Sequence, residues 1–267
     1  MVELRHEQLS YQVRGLIFET RKNLKTGWSE EIYHQGLAQL LRENGIPFES
    51  KPRKTLVHRD VAIHTFECDL ILAERIILEL KASPENAFAP AHYAQLINYL
   101  KCWNKDLGLL VNFGAVNARI ERVVWDEPEW AVQEDYASIK NNLTGADRMC
   151  LRQIRHAILA IGKQYGFGYF DTIYRKLVAV EMAHSGLECG TDVEIPVKWG
   201  DGILTRQSTE HLLVEKCFLL DIYALLDRPS RYDFAQMKTF LNHLNLNFGI
   251  IANFGKKQLQ IYAVNRE

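Results

Sequence analysis

Asp69, Glu79 and Lys81 carry the chemistry most worth pursuing in this sequence. They lie around "LILAERIILELKAS" (70–83), in which two apolar runs flank the short break Ala73-Glu74-Arg75. If 66–72 and 76–81 pair antiparallel about Glu74, Asp69 falls opposite Glu79 on one face, and Lys81, two residues on, shares that face. Two carboxylates so placed repel each other unless a cation lies between them. Aspartate and glutamate oxygens are the ligands Mg²⁺ favours, and one or two suffice when a phosphate supplies the rest. A lysine beside such a cation is suited to orienting or deprotonating an attacking water. The competing interpretation is a solvated sheet end in which Lys81 merely screens two acids.

These side chains are held by a pattern that occurs twice. Shifting the chain by 141 residues lays "GWSEEIY" (27–33) on "GYFDTIY" (168–174), "AQLINYL" (94–100) on "AQMKTFL" (235–241) and "VNFG" (111–114) on "ANFG" (252–255). Roughly one aligned position in five is identical, against about one in sixteen expected from ordinary composition. Two homologous domains in tandem, 1–140 and 141–267, follow, with the boundary in the polar stretch 136–149. Each half predicts a helix (8–24, 148–165), a glycine-containing turn and a second helix (29–44, 170–185) ending at Gly45 or Gly186. Three strands come next, in the first half "RKTLVH", "VAIHTFECDLIL" and "RIILELK". The first two meet at a tight turn, Arg59-Asp60 or Gly200-Asp201-Gly202. A helix opening at Pro90 (90–103) and the strands "LGLLVNF" and "ARIERVVW" complete the half. The order α-β-β-β-α-β-β implies an α/β domain with a mixed sheet.

The second half serves as an internal control. At the ungapped offset Asp69 becomes Glu210, Glu79 becomes Leu220 and Lys81 becomes Ile222, while Glu30 becomes Asp171. Gln95 persists as Gln236, and Tyr99 becomes Phe240. Asp221 stands one residue out of step with Glu79, which on a strand turns it to the other face. A hairpin that folds without the charged trio argues that the trio serves chemistry and that the second copy has lapsed.

The motifs Gly27-x-x-Glu30-x-x-Tyr33, "ECDL", "ILELKA", "AQLINYL" and "VNFG" stand in the order of the GxxExxY family, which residues 1–125 resemble. That family lies within the PD-(D/E)xK nucleases. The resemblance implies two tandem restriction-endonuclease-like domains, each a mixed β-sheet flanked by helices. It also implies a Mg²⁺ or Mn²⁺ site for phosphodiester hydrolysis. Asp69, Glu79 and Glu30 would be metal ligands, Lys81 the third member of the signature, and Gln95 and Tyr99 the QxxxY pair. Cys68 stands where the signature has proline, a departure many members share. Nucleic acid is the implied partner, DNA ahead of RNA, with the lapsed copy docked as an intramolecular pseudo-dimer partner. The alternative is a non-catalytic nucleic-acid-binding or regulatory module on the same fold.

Composition limits other classes. A net charge of −1 does not announce a nucleic-acid binder, and "RKNLK" (21–25) and "KPRK" (51–54) are modest basic clusters. No apolar run approaches a membrane span, and no signal-peptide core opens the chain. Five cysteines without CxxC spacing fit a reduced cytoplasm rather than a disulfide framework or zinc site. Tyr33 and Tyr174 are expected to pack, "NFG" to serve a turn, and Trp28, Trp103 and Trp125 to be buried.

Overall fold

The computed structural model describes residues 5–266. The chain divides into two compact units, 1–56 with 64–126, and 57–63 with 127–267. The first holds α1 (Glu7–Leu24), α2 (Glu30–Glu43), β1 (Phe48–Ser50), β2 (Arg53–His58), β3 (Val61–Glu67), β4 (Leu70–Leu72), β5 (Ile76–Lys81), α3 (Pro90–Trp103), β6 (Leu107–Asn112) and β7 (Arg119–Val124), apart from the β2–β3 tip. The second contributes β8 (Val132–Asp135), α4 (Gly145–Tyr165), α5 (Asp171–His184), β9 (Cys189–Gly190), β10 (Val193–Trp199), β11 (Gly202–Thr209), β12 (Leu212–Val214), β13 (Phe218–Tyr223), α6 (Arg231–Leu244), β14 (Phe248–Phe254) and β15 (Leu259–Asn265). No helix among the described residues is long and apolar enough to cross a membrane.

The first unit's main sheet has the order β1-β4-β5-β6-β7, and the second's β8-β15-β14-β13-β12-β9. Both are mixed: β5–β6 and β13–β14 run parallel, β4–β5 and β12–β13 antiparallel. Ribbons β2–β3 and β10–β11 stand apart as two-stranded sheets. Strand β5 is buried from Ile76 to Leu80, as a strand flanked on both sides and covered on both faces must be. Ile76, Leu78 and Leu80 meet Val13, Ile17, Tyr33 and Leu37 of α1 and α2 in one core cluster. Period two sends Ile77, Glu79 and Lys81 to the other face.

Local signals account for many of the boundaries. Pro90 opens α3, where its missing N–H costs no helical bond, and Asn104 closes it in the left-handed region at φ 53°. Gly27 sits at φ 101° and Gly168 at φ 99°, conformations closed to most side chains, which permits the turn into α2 and α5. Tyr33 stacks on Phe113 with centroids 4.7 Å apart and donates to the Lys25 carbonyl at 2.8 Å. Tyr174 repeats this with Phe254 at 4.1 Å and the Gly166 carbonyl at 2.7 Å. Both tyrosines are therefore packing residues, as expected.

The strand expected over "VAIHTFECDLIL" is in fact two. β3 ends at Glu67 in the ribbon, and the main sheet begins again at Leu70. The ladder with β5 covers Leu70–Leu72 only, in the expected register: Leu70↔Leu78, Ile71↔Ile77, Leu72↔Ile76. Cys68 and Asp69 form the junction, because one strand cannot belong to two sheets without leaving the first. The expectation for Trp28 also fails. It is 51% exposed, its indole N–H donating to the Leu24 carbonyl.

Candidate active site

The site lies where β4 and β5 diverge. At the junction Asp69 is held twice: its carbonyl accepts from the Lys51 amide at 2.9 Å, and its carboxylate accepts from the Leu80 amide at 2.7 Å. The carboxylate is thus fixed against β5 beside Glu79. The Lys81 ammonium donates to Glu79 Oε1 at 2.6 Å. Glu79 is only 3% exposed. Burial first, and then the Asp69 charge, push its carboxyl up to about 7, although Lys81 pulls the other way. Burial also raises Asp69, offset in part by the Leu80 amide and Lys81. The sequence-predicted trio converges.

The remaining predicted residues surround it. Glu30 is the first residue of α2, and its Oε1 lies 3.4 Å from the Ala82 amide, just past β5. Its charge disfavours ionisation of both Asp69 and Glu79, so all three acids share one field. One helical turn apart on α3, Gln95 donates to the Tyr99 hydroxyl at 2.8 Å. Tyr99 is buried, and its pKa is raised by that burial and next by Glu79, which puts its hydroxyl within the site's field. Gln95 and Tyr99 are therefore linked side chain to side chain.

Asn112 holds the floor of the site. Its side chain accepts from the Ser83 and Gly114 amides and donates to the Ser83 and Glu85 carbonyls, pinning the segment after β5. A Cβ on Gly114 would lie 2.4 Å from the Ala82 carbonyl carbon, so only glycine fits this close approach. Asn253 performs the same clamping in the second unit, on Leu225 N and the Asp227 carbonyl. The basic clusters are partly occupied: Lys51 pairs with Glu31, Arg53 with Glu67, and Lys54 donates to the Cys102 carbonyl.

His34 was not foreseen. Buried on α2, its Nε2 lies 3.3 Å from the Asp69 carbonyl and 3.2 Å from Ser50 Oγ, while Nδ1 is buried without a hydrogen-bond partner among the described residues. The available signal was its spacing, four residues after Glu30 on one helical face.

The second unit corrects the ungapped comparison. Offset 141 relates α2 to α5 and β6 to β14, but β5 and β13 are related by 142. Glu79 lies beside Leu110 in the parallel ladder, and Asp221 lies beside Ile251, the counterpart of Leu110. Asp221 is thus the register equivalent of Glu79, not an out-of-step neighbour. By the same register Asp69 corresponds to His211 and Lys81 to Tyr223. The turns agree: Ala73 and Glu74, with positive φ, correspond to Glu215 and Lys216. One extra residue enters between the β10–β11 tip and β12, and one is lost before α6. What occupies the second site is a buried His211–Asp221 pair, 3.2 Å apart, which holds Asp221 below the usual carboxylate range despite its burial. Arg175, the counterpart of His34, pairs with Glu210 and approaches Asp171 at 4.0 Å. The Arg175 guanidinium thus faces two acids of the second copy, and His211 faces the third. The lysine and the paired carboxylates of the first have no counterpart there.

The first site suits a hard divalent cation. Asp69 and Glu79 offer oxygen donors, and the Glu79 pKa is raised first by burial and then by the Asp69 charge, of which a cation would relieve the second. Among the described residues no group of three or more His, Cys, Asp or Glu side chains stands close enough to hold a metal by itself. Asp69, Glu79 and Glu30 are therefore not a closed three-ligand cage, and remaining positions would fall to backbone, water or substrate oxygens.

Comparison with known proteins follows the same division. No curated protein matches the sequence. A solved structure named "Crystal structure of SSO0001" is similar at 22% identity over 36% of this chain and 51% of that chain, with a TM-score of 0.29. The chain thus spans about half the length of that structure. A family model described as PD-(D/E)XK nuclease superfamily matches residues 7–123 and again 148–265. With two copies of its pattern spanning most of the sequence, the chain belongs to the PD-(D/E)XK nuclease superfamily.

Proposed function

We propose that the first repeat is a divalent-metal-dependent nuclease of the GxxExxY type, and that the second repeat is a non-catalytic partner within the chain. The observation that carries this reading is the convergence of Asp69, Glu79 and Lys81, with Glu79 buried and its carboxyl raised to about 7. In this reading Asp69 and Glu79 hold Mg²⁺ or Mn²⁺, with Glu30 at the margin. The ion would lower the pKa of a bound water and neutralise charge developing on phosphate. Lys81 donates one N–H to Glu79 and has two more with which to hold and aim a water at phosphorus. Gln95 fixes the Tyr99 hydroxyl, which lies within the field of Glu79. Residues Asn112 and Gly114 keep the segment after Lys81 in place, which limits the motion of the lysine. The substrate in this reading is nucleic acid, DNA before RNA, and five free cysteines fit a cytoplasmic setting.

Calorimetric titration with Mn²⁺ is the direct test. Binding should fall at least tenfold in Asp69→Ala and Glu79→Ala and be unchanged in Asp221→Asn. Cleavage of mixed single- and double-stranded DNA and RNA should exceed that of Lys81→Ala by at least about a hundredfold, the scale of general acid–base assistance. Wild-type protein that fails to outpace Lys81→Ala on every substrate refutes catalysis. It would favour the second reading, a non-catalytic nucleic-acid-binding module, which the lack of a closed ligand cage supports.

A further inference from the structure

The two ribbon tips face different surroundings. Residues 57–63, the β2–β3 tip, belong to the second unit. There His58 Nε2 lies 2.9 Å from Glu181 on α5, and its Nδ1 lies 3.0 Å from the Tyr165 hydroxyl. Arg59 donates to both Glu181 oxygens, at 3.0 and 3.1 Å, and Lys176 reaches toward the Ile63 carbonyl at 3.5 Å. The β10–β11 tip has no such seat among the described residues: Trp199 is 78% exposed, Leu204 67% and Ile203 54%. Apolar side chains of this size, clustered at the end of a projecting ribbon, mark a contact surface.

The repeat identifies what that surface fits. Tips and helices are both related by offset 141. His58 becomes Trp199 and Arg59 becomes Gly200. At the seat, Glu181 becomes Leu40 and Tyr165 becomes Leu24, both only partly buried, while Lys176 becomes the exposed Gln35. Where the seat offers an acid and a hydroxyl, the tip that fills it carries histidine and arginine. Where the seat offers two leucines, the equivalent tip carries tryptophan and no guanidinium. Tip and seat thus change polarity together within one chain.

We propose that the β10–β11 tip of one chain seats on the α1–α2 face of a second copy of this chain, with Trp199 against Leu24 and Leu40. A reciprocal pair closes as a two-fold dimer, and a one-way contact extends into a larger assembly.

The test is sedimentation of the full chain, free of nucleic acid, over a wide concentration range. Wild type should exceed its 30.9 kDa monomer mass with rising concentration. Trp199→Asp and Leu40→Glu should each weaken association at least about 30-fold, the loss expected of a central aromatic anchor. Leu24→Tyr, Leu40→Glu, Trp199→His and Gly200→Arg together should restore it through the transplanted polar set, now in a salt-sensitive form. Wild type that stays monomeric throughout, Leu40→Glu protein that associates undiminished, or failure of the fourfold variant to recover overturns the proposal. So does a Trp199→Asp variant that loses single-stranded oligonucleotide binding without change in mass, which would assign the tip to base stacking.

Discussion

Glu79→Gln should make this protein more stable at neutral pH when no divalent ion is present. The Glu79 carboxyl moves from 4.5 to about 7 on folding. Each unit is worth about 1.4 kcal/mol, so the ionised form costs the folded state about 3 kcal/mol relative to the protonated form. The sign follows from linkage. A carboxyl with a raised folded pKa binds its proton more tightly when folded, so stability declines as pH rises from about 4.5 to 7 and stays reduced above that. Asp69, also raised by burial, contributes in the same direction. Glutamine keeps the shape of the protonated side chain and does not titrate. Urea unfolding in chelator, followed by fluorescence at pH 4.5, 6 and 8, should show no gain for the variant at the lowest pH and about 3 kcal/mol at the highest. Mg²⁺ or Mn²⁺ should then stabilise wild type at pH 8 and leave the variant unmoved. A variant less stable than wild type at pH 8, or a difference independent of pH, would refute the picture of Glu79 as a buried carboxylate held against its preference.

Gly114→Ala should cost about 1–3 kcal/mol in denaturant unfolding, because the new methyl meets the Ala82 backbone rather than a movable side chain. It should depress cleavage as well, through the segment after Lys81. Tyr33→Phe removes only the hydrogen bond to Lys25 and should cost about 1 kcal/mol, whereas Tyr33→Ala also empties the stack on Phe113 and should cost about 3–5 kcal/mol. Glu181 lies below the ordinary carboxylate pKa, first through Arg59 and then His58. Its stabilisation is therefore present above pH 4.5 and lost as pH falls through the folded pKa, so Glu181→Gln should flatten the acid limb of the stability profile. Tyr99→Phe deprives Gln95 of its partner and should slow cleavage while leaving Mn²⁺ affinity within about threefold, since no ligand oxygen is removed.

Much of this molecule could be read without coordinates. Pro90 marked the start of α3, Arg53 to His58 marked β2, and the period-two placement of Glu79 and Lys81 put both on one face of β5. Local chemistry settles those features: a proline ring, a turn, the pleat of a strand. Tandem duplication was legible too, since "GWSEEIY" and "NFG" encode the same tyrosine stack and asparagine clamp in each copy. Only the tertiary structure showed that 61–72 is two strands in two sheets, that His34 lies against Asp69, and that Asp221 rather than Leu220 stands in the place of Glu79. The last has a definite cause. One residue gained before β12 and one lost before α6 cancel, so the flanking helices and β14 return to offset 141 and hide the shift between them. Strand side chains alternate with a period of two, and a single hidden residue is enough to exchange every face. Hydrogen-bond register between strands, which no linear pattern records, decides which side chain occupies the site.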